Sequence, residues 1–532
     1  MPRGGFALAA RHTLWVVIVT VDLPSTLNAG PAADHDRAWQ HDDEDSGRGL
    51  LKLDDLTAEV SQLVVARLVS KDFGAWADTL ARVGNCVRPV RLRGTSERID
   101  PATGEVLSSF SSSDHPLGVV HVRCGNRRAS ECPSCSRLYA ADMFHLIRAG
   151  VTGGKTVPES VADHPLLFAT LTAPSFGRVH TSGRCHPGDL NRRCPHGRPL
   201  ACGLVHAEGV EGRRSAVLLG QPLCPDCYDY ASHVVWQWFA PDLWRRFTIA
   251  LHRGLAHHLG IPAHALPEVA TVQYAKVAEF QRRGAVHFHA LIRLDGPRSP
   301  SGVTDPPGAV TADVLATLVT QAASTVHLHV PAVDDQDVPR RLVFGRQLDV
   351  RVVRSHRLDD DQSLTAAQVA GYLAKYSTKT ASDDVATSTA HHRRLQATIA
   401  DLNLRAQVAT LATGRSPYEL LGHWGRMLGF RGHFATKSRR YSITLGQLRR
   451  ARQRAQARIA ASRASGTPLD LASLEADLLA DEEETTLVIG RWSYLGSGWA
   501  DEGETALAAA AAARAREYAQ EKAAARQHTS PR

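Results

Sequence analysis

The sequence predicts an α+β protein, and two observations carry this. "TVQYAKVAEF" (271–280) and "AVHFHALIRL" (285–294) are strand-like runs joined through "QRRG", the pattern of an antiparallel pair. Residues 51–83, 233–260 and 365–379 instead space their apolar residues as helices do. The chain has 532 residues, of which 43% are hydrophobic. That is enough for a real core and too long for one ordinary domain, so two or three are expected. A net charge of +8 and a pI of about 9.1 fit a polyanionic partner.

Along the chain, residues 1–50 read as a disordered or mis-started leader. "LWVVIVTVDL" (14–23), behind Arg3 and Arg11, has the look of a short signal peptide, but its apolar run is too short to span a bilayer. "DHDRAWQHDDEDSG" (34–47) is acidic and polar. Residues 51–160 form a helical and first cysteine region, with a helix expected over "SRLYAADMFHLIRAG". "LLFATLTAPSFG" (166–177) has strand length and ends in a Pro/Gly turn. Residues 178–230 are rich in Gly, Pro and Cys and read as a zinc-stapled insertion. An aromatic-faced helical stretch follows at 233–260, then the strand pair, then a loop at 295–309. A helix is expected at 311–324, strands at 326–330 and 348–354, and a helix at 365–379. Residues 429–445 are basic. The region 446–532 reads as a helical tail, Arg-rich at 446–465 and Ala-rich at 506–527. No transmembrane helix is expected, and a cytoplasmic location is.

The nine cysteines are clustered. An odd count with two C-x-x-C knuckles, "CPSC" and "CPDC", reads as Zn²⁺ binding in a reducing compartment rather than as disulfides. A tetrahedral zinc needs four ligands, and each knuckle supplies two. Cys86, Cys124, Cys132 and Cys135 make one set. Cys194, Cys202, Cys224 and Cys227 make a second, with Cys185, His196 and His206 as rivals for a place.

His287 and His289 share one face of their strand, because residues two apart point the same way. A three-residue hairpin loop commonly ends in a left-handed Gly. With Arg282, Arg283 and Gly284 as that loop, Glu279 opposes His287 and joins the same face. Two imidazoles and a carboxylate with open positions suit Mg²⁺ or Mn²⁺ holding a phosphate. A His-x-His pair alone would signify little, since "VHLHV" (326–330) is a second one.

"LTAAQVAGYLAKYSTKT" opens with a capping-box pattern, Thr365 with Gln368. Tyr372 and Tyr376 lie four apart, so their hydroxyls project from nearly one side. Lys375 and Lys379 follow each by three. A phenolate is a usable nucleophile toward a phosphodiester when a cation lowers its pKa from near 10. The alternative is a tyrosine pair that packs the helix on the sheet.

Together these motifs resemble those of HUH endonucleases, the rolling-circle replication initiators and relaxases. "HFHALIRL" resembles their His-hydrophobic-His motif. "VAGYLAKYSTK" resembles their tyrosine motif twice, through Val369, Tyr372 and Lys375 and through Leu373, Tyr376 and Lys379, with Ser377 where an apolar residue is usual. "FATLTAPS" (168–175) looks like their first motif, and Glu279 matches a third metal ligand of related viral initiators. The cysteine pattern, "TLTAPSFG" and "GFRGHFATKSRRYS" look like the RepSA-type initiators of actinobacterial plasmids and integrative elements, over most of residues 80–450. The long gap between the first two motifs, filled by the second cysteine cluster, departs from the general pattern. Residues 1–50 match nothing in the family.

The resemblance implies a nicking domain over 161–445. A central antiparallel sheet would carry the metal ligands, flanked by helices, one of which carries the tyrosines. It implies a tyrosine-5′-phosphate intermediate at the origin, with Arg431, Lys437, Arg439 and Arg440 on the DNA backbone. Single-stranded and origin DNA are the implied partners. No G-x-x-x-x-G-K-[ST] loop occurs, so a host helicase and polymerase are expected as well. Two other readings share these features: a two-tyrosine HUH transposase, and a non-catalytic zinc-dependent DNA-binding regulator.

Overall fold

The structure is a computed structural model that describes residues 56–100, 102–206, 218–299, 302–353, 366–378, 389–466, 468 and 487–529. The leader read over 1–50, the capping residue Thr365 and Lys379 lie outside the described residues. The chain divides into two compact units. One comprises residues up to Asp142 together with those from Leu448 onward, and the other runs from Met143 to Gln447. Helices and antiparallel strands make up both, so the fold is α+β as expected.

The first unit is built on the strand Val90–Ile99. It pairs with Leu487–Ser497 along its whole length, from Val90 opposite Ser497 to Ile99 opposite Leu487. Val106–Ser111 and Val120–Val122 also pair with it. The strand at 487–497 lies inside the segment read as a helical tail. "LVIGRWSYLGS" is rich in β-branched and aromatic residues, which fit a pleated surface. Its long Arg- and Ala-rich neighbours do form helices, Leu445–Ser465 and Glu502–Thr529. The helical region expected at 51–83 is two helices, Ala58–Leu68 and Phe73–Arg82. Trp76, Leu80, Val83, Trp499 and Ala508 form a small core with Cys86, Cys132 and Cys135.

In the second unit, seven elements position the candidate site: β1 (Leu166–Leu171), α1 (Tyr230–His258), β2 (Thr271–Phe280), β3 (Val286–Asp295), β4 (Leu348–Val352), α2 (Ala366–Thr378) and β5 (Ala435–Lys437). The strands form one antiparallel sheet in the order β4-β1-β3-β2-β5. Helix α1 buries an aromatic stripe that includes Trp236, Phe239, Trp244 and Phe247. Phe288, fully buried on β3, packs against Trp244, Phe344 and Phe430. Side chains alternate along a strand, so His287 and His289, either side of Phe288, take the opposite face. A short strand at Arg340–Val343 pairs with His327–Val330 and was not expected from sequence.

Two buried charged sites mark this unit, an Arg–Asp pair and a lysine. At the end of β3 the Arg293 guanidinium grips Asp295 through two bonds of 2.7 and 2.8 Å, and His164 Nδ1 lies 2.9 Å from the same carboxylate. Burial pushes the Asp295 carboxyl up, but the hydrogen bonds from His164 and Arg293 prevail and hold it below its ordinary value. Lys276 on β2 sits with its ammonium 4.3 Å from the Phe288 ring centroid and 5.3 Å from that of Trp244. Burial pushes this amine down to about 7.

Two stability predictions follow from these charges. Asp295→Ala leaves Arg293 buried without its partner and is expected to cost roughly 3–5 kcal/mol. The wild-type carboxylate contributes above the ordinary Asp range, and its contribution is lost as pH falls through the depressed folded value. Denaturant unfolding of both proteins should therefore show a gap that narrows in acid. Lys276→Met removes an ammonium that is charged when unfolded and costly when buried, so it is expected to stabilise by about 1–4 kcal/mol at neutral pH. That gain should grow as pH falls from 10.5 to about 7 and stay level below. Equal unfolding curves for Lys276→Met and wild type at pH 7 would contradict this.

Candidate metal and tyrosine site

The hairpin register decides which side chains meet. Gly284 takes φ +79°, its amide reaches Gln281 O at 2.7 Å, and Gln281 N bonds Ala285 O at 2.8 Å. The loop is thus the three-residue form, and Glu279 pairs with His287 across the strands. Other chain segments fix the turn. Arg283 donates to Ala173 O at 2.9 Å and Pro174 O at 2.8 Å, while Gln237 of α1 bridges Gly284 O and Val286 N.

Glu279, His287 and His289 therefore converge. The Glu279 Oε2 atom lies 2.9 Å from Nε2 of each histidine, and the two Nε2 atoms are 3.0 Å apart. Burial pushes the Glu279 carboxyl up, but the two imidazoles outweigh it and hold it at about 2. Burial also lowers His289, against the pull of Glu279. One carboxylate oxygen and two Nε2 atoms within 4.8 Å of one another fit a small divalent cation, with positions left open for a phosphate. The second pair, His327 and His329, is exposed and forms no such group with an acid among the described residues.

Behind His289 stands β1. Thr170 pairs with His289, and its hydroxyl is 3.0 Å from Nδ1. Phe168 stacks on the same imidazole at 5.6 Å. A hydroxyl can donate or accept, so when Nε2 serves as a ligand, Nδ1–H donates to Thr170. Sequence reasoning marked the Thr-Leu-Thr strand without giving Thr170 this task. The signal was its place on a strand that pairs with the histidine strand.

Helix α2 buries Val369, Leu373 and Ala374 and presents Tyr372 to the triad. The Tyr372 hydroxyl is 3.1 Å from His289 Nε2, and its ring stands edge-on to Phe168 at 5.9 Å. Tyr376 packs against Tyr372 with ring centroids 4.5 Å apart and planes tilted by 53°, and sits farther from His289, at 6.1 Å between rings. Burial and then the Glu279 charge raise the Tyr372 phenol well above its ordinary value. Lys375 is half-buried on the same helix.

The cysteines gather in three groups, not two. Cys86, Cys124, Cys132 and Cys135 come together as expected, with Cys86 Sγ 3.8 Å from Cys132 and 3.6 Å from Cys135. The expected second set is corrected: Cys202 is not beside Cys194, Cys224 and Cys227. His196 takes that place, with Nδ1 3.3 Å from Cys227 Sγ. Cys202 lies instead with His180, Cys185 and His206. The physical reason is local. A tight turn, closed by Gly197 N to Cys194 O at 2.9 Å, carries His196 beside Cys194, while Cys202 sits across from His186 in the next ladder of bonds.

Of the four basic residues expected on DNA, three have partners in the fold, Arg440 only through a long bond of 3.4 Å to Ser299 O. Arg431 pairs with Asp242, donates to Trp238 O at 3.0 Å and lies over the Trp238 ring. Lys437 donates to Ser442 O at 2.7 Å, and burial pushes its amine down to about 8. Arg439 and Arg440 are exposed. No helix among the described residues is long and apolar enough to cross a membrane.

The second unit thus carries a His–His–Glu group that could hold a metal ion, on an antiparallel sheet and facing a tyrosine-bearing helix, in a basic chain with clustered cysteines. Residues 72–513 match the RepSA family, described as "Replication initiator protein, pSAM2". A "Replication initiator protein" of Streptomyces ambofaciens is 41% identical over 451 residues, covering 82% of this chain and 89% of that protein. The chain belongs to the RepSA family of replication initiator proteins. No solved structure matches it.

The role of Thr170 is testable. Thr170→Val keeps the shape of the side chain and removes the bond to His289 Nδ1. It is expected to weaken divalent-cation binding at the triad by about 10–100-fold. Titration calorimetry with Mn²⁺, on wild type and variant, reads this directly. Unchanged affinity would remove Thr170 from the positioning of His289.

Proposed function

We propose that this replication initiator nicks one strand of origin DNA through a tyrosine-5′-phosphate link and so starts rolling-circle replication. The observation that carries the reading is the Tyr372 hydroxyl, 3.1 Å from His289 Nε2 within the Glu279–His287–His289 group. On this reading the sheet and α2 form an HUH-type nicking domain. Mg²⁺ or Mn²⁺ on the triad supplies neutralisation of the charge that develops at the scissile phosphate. Glu279, His287 and His289 hold their donor atoms toward one point, and Thr170 fixes the His289 ring. The Tyr372 oxygen attacks phosphorus as its proton passes to solvent. The P–O3′ bond breaks, and the released 3′ oxygen takes a proton and primes synthesis. The phosphotyrosine keeps the energy of the broken bond, so rejoining needs no nucleotide cofactor.

Tyr376, one turn along α2, serves the second cut that ends a rolling circle. Lys375 and Lys379 balance the phenolate or phosphate charge. Arg439 and Arg440 contact the DNA backbone, a salt-sensitive contribution blind to sequence. Zn²⁺ on the cysteine clusters staples the fold. Unwinding and synthesis fall to a host helicase and polymerase in the cytoplasm.

Covalent capture on labelled single-stranded origin DNA tests the reading, with Mn²⁺ or EDTA present. Wild type should form a protein–DNA adduct only with the cation. His287→Ala should lower adduct formation by roughly 10²–10³-fold. Tyr372→Phe should remove the first adduct, whereas Tyr376→Phe should keep it and lose second-strand transfer. Specific binding with no adduct under any metal would leave a non-catalytic regulator. Cutting confined to element ends would favour a transposase.

A further inference from the structure

The segment between β1 and α1 has a physical problem that its sequence does not solve with apolar residues. From His180 to His206, no side chain joins the hydrophobic core of the unit. Its strands, Gly183–Arg184 and Val205–His206, are two residues each. Ribbons that short do not stand on their own. Yet Cys185, Cys202 and His206 are buried there. Their burial needs a different source of stability.

The ligand geometry identifies that source. His180 Nδ1 faces His206 Nε2 at 3.1 Å. Cys185 Sγ is 3.7 Å from His180 Nδ1, and Cys202 Sγ is 3.6 Å from His206 Nε2. All four donor atoms lie within 4.8 Å of one another. A tetrahedral zinc with nitrogen arms of about 2.0 Å and sulfur arms of about 2.3 Å has edges of roughly 3.3–3.8 Å. The observed spacings are close to those edges. Backbone bonds hold the frame: Cys185 N reaches Leu204 O at 3.3 Å, and Cys202 N reaches His186 O at 3.0 Å.

We propose that His180, Cys185, Cys202 and His206 form a separate zinc site, the third of the chain, with two nitrogen and two sulfur ligands. The cysteine count supports it. Four thiols lie in the first group, three in the Cys194–His196–Cys224–Cys227 group and two here, so all nine cysteines are used and no thiol is left over.

The site also has a place in the architecture. His180 pairs with the stretch at Gly220–Gln221, through bonds of 2.9 and 2.8 Å. Gly220, at φ +81°, lies so close to the hairpin loop that an added Cβ would stand 2.4 Å from the Arg282 carbonyl carbon. The proposed zinc thus ties the insertion to the Gly220–Gln221 stretch, which abuts the turn of the Glu279–His287 hairpin.

The experiment counts zinc in the purified full-length chain by elemental analysis against protein concentration. Three equivalents are expected. Cys185→Ser and Cys202→Ser should each bind two, and Cys194→Ser should independently bind two. The double variant Cys185→Ser/Cys194→Ser should bind one. Because a variant can fail to fold, wild type loaded with Co²⁺ gives a second readout. Its thiolate-to-cobalt absorption should correspond to nine Co–S bonds, including one site of the two-sulfur, two-nitrogen type. Two zinc equivalents in wild type, or seven Co–S bonds with two thiols free to react, would overturn the proposal.

Discussion

The site rests on one shared carboxylate oxygen. Glu279 Oε2 sits equidistant from two imidazole nitrogens, 2.9 Å from each, in surroundings that are mostly buried. Placing a carboxylate there is costly unless cationic or donor groups face it. The two histidines do so, and they hold it ionised far below its ordinary range. Everything else about the hairpin serves to keep these three groups on one face. The left-handed Gly284, the Arg283 fork and the Gln237 bridge all act on register. A slip of one residue would send Glu279 to the other face and leave a charge against the aromatic residues of α1.

That other face explains the sequence between the histidines. Phe288 is the anchor of the sheet on α1, so the His-x-His spacing is at once a packing rule and a chemical one. Lys276 lies beneath it, on the same face, with the Trp244 and Phe288 rings at its ammonium. The unit therefore carries charge on both faces of one hairpin. On one face it is shared by partners, and on the other it is only desolvated.

Much of this was legible in sequence because it depended on short-range rules. The register followed from the position of Gly284, the pairing of tyrosines from helical spacing, and the α+β class from two periodicities. The basic stretch misled. Arg431 and Lys437 looked free by composition, but the distant Trp238 engages Arg431 and the nearby Ser442 carbonyl engages Lys437. The grouping of the cysteines misled for a similar reason. C-x-x-C knuckles announce themselves, whereas His180 and His196 become ligand candidates only when folding brings them beside cysteines. The strand at 487–497 was hidden by strongly helical neighbours. Its partner, Val90–Ile99, lies at the other end of the chain, and no local pattern reveals a pairing of that span.

That long pairing has a consequence for synthesis. The strand Val90–Ile99 emerges from the ribosome roughly four hundred residues before Leu487–Ser497. At about 5–20 residues per second, its edge waits on the order of 20–80 s for its partner. The Met143–Gln447 unit is complete about 40 residues earlier, roughly 2–8 s before that partner begins to emerge. The nascent chain thus holds a finished site-bearing unit while the unit built from both ends of the sequence still has an open sheet edge. An open edge invites pairing with other chains. Crowded translation of this protein is where its folding is most exposed to error, and the exposure ends only when Leu487–Ser497 emerges.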